Sequence, residues 1–302
     1  MFRAFVKIVI LSATPITIFY PFPIIPFVIF SLSSVEYQLS SLLTLILFTF
    51  VFFAGVNLWN HVNDVEEDKI SGRNNLFVES ECLRRIGILV SILLYAISIT
   101  YFLKYSTDSK AFLPFFVTCI LTWVYSDKIF IGRYIKRLKQ DYRTEFLTYL
   151  VSYPLFILSL WSLNSELNII SIFIAFWFVF FGLWNILLKD IKDMSADEKA
   201  GLNTVAIKLG YKKCLEYSTY SILIFYFLII PYSIIEIIPP ISITLSVFII
   251  IPMYIYLKLR QINWEITPEF AGKFSLLAKS NIFLLLIIGI LEIVSSYLRY
   301  LF

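Results

Sequence analysis

The sequence predicts an all-α, polytopic membrane protein of nine spanning helices, arranged as two pseudo-repeated halves. Three observations predict it. The first is composition: of 302 residues, 59% are hydrophobic and 18% aromatic, with a mean hydropathy of +0.83. A water-soluble domain of this size has too much surface for so apolar a chain. The second is length: apolar runs of spanning size, about 17–25 residues, recur near 8–31, 41–60, 86–103, 111–126, 146–163, 168–188, 215–235, 240–257 and 280–298. The third is charge. If the N-terminus and the segments after runs 2, 4, 6 and 8 share one side, that side carries 22 of the 25 Lys and Arg residues. The excess marks it as cytoplasmic, and an odd number of spans puts the C-terminus on the other side.

Each run has its own character. The first follows Arg3 and Lys7 and contains Pro15, Pro21, Pro23 and Pro26, so a kinked helix is expected there. Its basic start resembles a signal peptide, but no small-residue cleavage site follows, so a retained span is expected. Runs 2 and 6 lead into the acidic segments described below. Run 8, with Pro239, Pro240 and Pro252, is expected to be the least regular. No Gly-, Ser- or Pro-rich linker divides the chain, so residues 1–302 read as one domain. A weak repeat relates roughly 1–140 to 141–260, with the last helix appended. Cys82, Cys119 and Cys214 have no metal-type spacing, and His61 is the one histidine. That argues against a disulfide framework and excludes a multi-histidine metal site.

Two acidic stretches organise the chain. Asn60, Asp64 and Asp68 are spaced i, i+4, i+8 where run 2 leaves the hydrocarbon, and on a helix this makes a single stripe that turns by only about 40° per step. Asp190, Asp193 and Asp197, spaced i, i+3, i+7, follow run 6. The approaches repeat, Leu58-Trp59-Asn60 against Leu183-Trp184-Asn185, and Asp68 and Asp193 fall at the same distance beyond those asparagines. One acidic residue at a membrane exit is ordinarily a solvated helix end. Two striped clusters in repeated contexts on one side are not. His61 reads as a polar loop residue, Glu67 as a solvated or supporting neighbour, and Trp59 and Trp184 as interface aromatics or substrate contacts.

Carboxylates gathered this way repel one another unless a cation sits among them. Oxygen ligands without His or Cys suit a hard ion, Mg²⁺ before Zn²⁺. Mg²⁺ typically shares its shell with phosphate oxygens, and basic residues stand nearby, so the expected ligand is a lipid diphosphate at a site open to the bilayer. If its tail is allylic, loss of diphosphate leaves a carbocation, which aromatic faces stabilise and a dry pocket protects. The chain has 30 Phe, 19 Tyr and 6 Trp to offer.

The stripe Asn60-xxx-Asp64-xxx-Asp68 resembles the first aspartate-rich motif of the UbiA superfamily of intramembrane prenyltransferases. Asp190-xx-Asp193-xxx-Asp197, followed by Lys199-Ala200-Gly201-Leu202-Asn203-Thr204 and Lys208-Leu209-Gly210, resembles the second. The resemblance implies nine helices around a central cavity and Mg²⁺-dependent transfer of a prenyl group from a prenyl diphosphate to a small aromatic or lipid acceptor. It implies that Asp64, Asp68, Asp193 and Asp197 hold the metal, that Asn60 ligates or orients the diphosphate, and that Asp190 supports the second cluster. Tyr125, Lys128, Arg133, Lys136 and Arg137 resemble the segment that grips the diphosphate, and Lys189, in stripe with Asn185 and Asp193, falls near the phosphates. Thr14-Pro15 and Arg73-Asn74 depart from the family's Arg-Pro pairs and bear on the acceptor. The expected partners are therefore a prenyl diphosphate, its acceptor and membrane lipids, with no nucleic acid. A terpene cyclase on the same scaffold is the alternative enzyme. A transporter is disfavoured because its charges belong near the bilayer midplane.

Overall fold

The computed structural model describes residues 6–12, 24–34, 36–72, 75–189, 191, 194–265 and 268–301. Among them the chain is helical apart from short connections. Residues 6–12 form α1, followed by α2 (Ile24–Ser33), α3 (Leu39–Asn63), α4 (Val65–Ser71), α5 (Leu76–Glu79), α6 (Glu81–Tyr105), α7 (Phe112–Ser126), α8 (Tyr142–Ser162) and α9 (Ile169–Lys189). The chain continues with α10 (Met194–Lys199), α11 (Val205–Leu209), α12 (Tyr211–Phe227), α13 (Ile229–Ile234), α14 (Ile250–Gln261) and α15 (Pro268–Leu301).

Among the described residues, eight segments are long and apolar enough to cross a membrane, and they coincide with the eight later runs read from the sequence. The first run is represented by α1 and α2. Pro15, Pro21 and Pro23, and the kink expected of them, lie outside the described residues, as do Thr14-Pro15 and Arg73-Asn74. The irregular eighth run is a 3₁₀ segment, Pro240–Ile249, that passes into α14.

Packing closes on itself. Helix α2 packs on α3, α3 on α7, α7 on α8, α8 on α9, α9 on α12, α12 on α14, α14 on α15, and α15 returns to α2, while α6 lies against α3. The polarity is that of a chain solvated by lipid. Leu89, Leu93, Leu113, Ile172 and Phe227 are exposed, whereas Ser98, Thr118, Thr148 and Ser159 are buried. These hydroxyls donate to backbone carbonyls four residues earlier, satisfying themselves within their own helices as a water-poor surrounding requires. The chain is an integral membrane protein.

Candidate active site

Helix α3 stops at Asp64, whose φ of −92° and ψ of 12° break the helix before α4 begins. The sequence suggests one continuous helix here, and the structure shows two. The turn is kept across the break, because the Asp64 N–H donates to the Asn60 carbonyl at 3.0 Å and the Asp68 N–H to the Asp64 carbonyl at 2.8 Å. The three predicted residues thus remain successive steps on the same turns, yet their side chains take different partners. Asp64 Oδ1 accepts from Arg137 Nη1 at 3.2 Å and from Lys139 Nζ. Asp68, only 4% exposed, accepts from Asn75 Nδ2 at 2.7 Å. Asn75 also donates to the His61 carbonyl and caps α5 through Phe77 N–H, so it fastens both ends of the acidic turn. Asn60 Oδ1 is buried and has no hydrogen-bond partner among the described residues.

The basic half of the site comes from the 127–141 segment. Buried Asp127 accepts the N–H groups of Ile129, Phe130 and Ile131 at 2.8–3.0 Å, which turns the chain sharply after α7. Lys128 then donates its N–H to Asn63 Oδ1 at 2.7 Å and its ammonium to Glu66 and Glu67. Arg137 is fully buried: Nη1 holds Asp64, Nη2 holds Glu67, and Nε has no partner among the described residues. Burial works to raise the Glu67 carboxyl, but the hydrogen bond from Lys128 and the charges of Arg137 and Lys139 outweigh it and hold it at about 2. Burial, with Arg137 beside it, pulls Lys139 down against the opposing charge of Asp64.

The second cluster reaches the first through α10, which packs against α4. Asp197 lies in the first turn of α10. Asp190 and Asp193 lie outside the described residues, as does the side chain of Lys189. The segment beyond α10 is tied to the basic loop: Asn203 N–H donates to the Gln140 carbonyl at 3.1 Å. Thr204, with a buried hydroxyl that has no described partner, stands at the N-cap of α11.

Four residues given a role by the sequence are placed differently from expectation. Tyr125 is buried and donates to Glu145 Oε1 at 2.9 Å, so its hydroxyl faces a carboxylate in α8. Glu145, 1% exposed, also accepts the Val205 N–H at 2.9 Å. Arg133 is exposed and, like its exposed neighbour Lys136, forms no ion pair with a described residue. Trp59 is neither an interface aromatic nor open to a substrate. It is fully buried, stacked on Trp123 with ring centroids 3.9 Å apart, and bonded through Nε1 to the Trp123 carbonyl. The spacing argument missed Lys139, Asn75 and Glu145, and it left Glu67 undecided. Only the density of basic residues at 128–143 signals Lys139.

Among the described residues, no three His, Cys, Asp or Glu side chains gather into a metal cage. What is present still fits a hard cation: all-oxygen donors on α3 and α4, and an unsatisfied acceptor, Asn60 Oδ1, one turn before Asp64. An unsatisfied buried acceptor is costly unless something binds it.

Residues 20–277 match the UbiA prenyltransferase family. The chain belongs to that family. An uncharacterized protein of Archaeoglobus fulgidus is 34% identical over 268 residues, spanning 87% of this chain and 90% of that one. Solved structures of the family share the fold. A digeranylgeranylglyceryl phosphate synthase has a TM-score of 0.65 at 20% identity, over 97% of this chain and 99% of that one. A UbiA homolog from Archaeoglobus fulgidus bound to DMAPP and Mg²⁺ has a TM-score of 0.63 at 18% identity, over 93% and 99%. The apo form of a UbiA homolog from Aeropyrum pernix K1 has a TM-score of 0.58 at 13% identity, over 92% and 97%.

Proposed function

We propose that the protein transfers a prenyl group from a prenyl diphosphate to an aromatic or lipid acceptor within the membrane, with Mg²⁺ bound by Asp64, Asp68, Asp193 and Asp197. Asn60 adds an oxygen to that set, and Asp190 supports its second half. One arrangement carries the reading. Two acid-bearing helices, α4 and α10, pack against each other beside a basic loop, and there a buried acceptor, Asn60 Oδ1, and a buried donor, Arg137 Nε, both want a ligand atom. An ion with a diphosphate supplies both. Family membership and the DMAPP and Mg²⁺ bound to a homolog of the same fold support the same choice.

The chain's own residues then divide the work. Arg137, Lys128 and Lys139 hold the diphosphate oxygens, Arg137 from a fixed buried position. Lys189 joins them at the end of α9. A cation held by these carboxylates would neutralise charge on the diphosphate and so supply a better leaving group. The apolar helix walls keep water from the allylic cation, and the tail lies among the helices. The N-terminus and the site mouth face the cytoplasm, the side that the excess of basic residues favours.

The test uses the purified chain in lipid, a series of prenyl diphosphates and a membrane lipid extract as acceptor, with diphosphate release and product mass both measured. Mg²⁺-dependent release with a prenylated acceptor is expected. Release without any acceptor, giving a cyclised hydrocarbon, would replace this reading with a cyclase. No release from any prenyl diphosphate would remove the enzyme reading altogether.

A further inference from the structure

Among the described contacts of the first motif, Asp64 holds two of the protein's own cations. Its Oδ1 takes the Lys139 ammonium and, at 3.2 Å, an Arg137 N–H. An Mg²⁺ ligand must approach to about 2.1 Å, so Oδ1 cannot take the ion while it holds the ammonium, and two adjacent positive charges repel an ion approaching either oxygen of the carboxylate. Departure of one of the two basic groups therefore favours the ion at Asp64. Arg137 cannot go far, since its side chain is 1% exposed and its other nitrogen is held by Glu67. Lys139 can, because its side chain is 12% exposed and an ammonium on a four-carbon stem has rotational freedom that a buried guanidinium lacks. It needs a new anion when it moves. Glu66 and Glu67 already hold Lys128 and Arg137.

We propose that Lys139 occupies the metal's place at Asp64 and transfers to the diphosphate when substrate arrives, so that the first motif captures its ion only together with a diphosphate. The proposal rests on the function proposed above and deepens it. Lys139 is both the stand-in cation at Asp64 and a diphosphate-binding residue. Ion and substrate then bind cooperatively, each removing the obstacle to the other, and the first motif resists loading by metal alone.

The experiment measures Mn²⁺ bound to the purified full chain by electron paramagnetic resonance, with and without inorganic diphosphate, against protein-free blanks. The parent is expected to bind Mn²⁺ weakly alone and much more tightly with diphosphate. Lys139→Met removes the stand-in charge at nearly the same shape, so Mn²⁺ alone should bind about tenfold tighter while the gain from diphosphate shrinks. Lys139→Arg, which keeps the charge, should behave like the parent and shows that loss of charge, not a folding defect, causes the change. If Lys139→Met binds Mn²⁺ alone no more tightly than the parent, the proposal is overturned. Asp64→Asn separates the two readings. If it leaves Mn²⁺ binding in the presence of diphosphate unchanged, the metal is not at the first motif and the proposed site fails along with this inference. If it abolishes that binding while Lys139→Met has no effect, only the inference fails.

Discussion

Glu145 is buried in the first turn of α8, and its two oxygens serve different helices. Oε1 accepts from Tyr125 in α7, and Oε2 accepts from the Val205 N–H at the start of α11. Removing it takes the acceptor from the buried Val205 N–H and one partner from the Tyr125 hydroxyl, at a cost of about 1–3 kcal/mol. Glu145→Ala is therefore expected to lower the thermal unfolding midpoint in detergent by several degrees, whereas exposed Glu79→Ala should leave it unchanged. Asp64 and Asp68 were legible because spacing makes them a stripe. Glu145 was not, because an acid in the first turn of a helix is what the helix dipole alone would favour, and nothing in the sequence pairs it with Tyr125 or Val205. At the same scale, Asp64→Ala and Asp68→Ala are expected to lose turnover by about 100-fold or more, since they act on charge that develops at the leaving group. Near-normal turnover in either variant would contradict its assignment. Glu67 gives a pH signature. Its carboxyl lies near 2 in the folded chain against an ordinary 4.5, so its stabilising effect is complete above the ordinary value and disappears as pH falls toward 2. In chelator, the stability gap between the parent and Glu67→Gln should be flat above about pH 5.5 and close progressively below about pH 4.5. A gap that widens on acidification would reverse the assigned sign.

The element that decides the site is the segment from Asp127 to Asp141, which crosses from the end of α7 to the start of α8 and delivers Lys128, Arg137 and Lys139 to the acids of α4 and the turn before it. Its shape depends on a close approach: a Cβ placed on Gly132 would lie 1.7 Å from the Asp127 carbonyl oxygen. No side chain fits without opening the turn that Asp127 ties. Arg137 and Gln140 close the far end reciprocally, Arg137 N–H to Gln140 Oε1 and Gln140 N–H to the Arg137 carbonyl, both at 3.1 Å. Gly132→Ala should therefore reduce Mg²⁺-dependent diphosphate release while helix content, measured by circular dichroism, stays at the parent level. A variant with parental activity would show that the loop tolerates opening. The helices were readable from the sequence because apolar run length and period are local properties. The loop was not, because its order comes from contacts such as Arg137 with Asp64, which no local pattern encodes. The break at Asp64 was hidden for a related reason: a spacing of four residues looks the same whether or not the helix continues between them.

Across the whole molecule, the ring of helices brings the two acid-bearing segments to one end, where α4 meets α10, and the basic residues decide which side of the membrane that end faces. The imbalance, 22 of 25 basic residues on the proposed cytoplasmic side, is too large for the few on the other side, Lys104, Lys110 and Arg299, to reverse it. The chain carries its own probe of this orientation. Cys82 is exposed at the start of α6, between Glu81 and the Arg84–Arg85 pair, while Cys119 and Cys214 are buried. A buried thiol reacts slowly because reagent must reach it as thiolate, so a membrane-impermeant maleimide added to intact cells or sealed vesicles reports chiefly on Cys82. In right-side-out vesicles the native chain should stay unlabelled until the membrane is permeabilised, and in inverted vesicles it should label at once. Ser106→Cys, at the opposite end of α6, should give the reverse pattern in a Cys82→Ser background. Labelling of Cys82 from the outside of right-side-out vesicles would place the acidic clusters, and with them most of the basic residues, on the outer face, against the expected orientation.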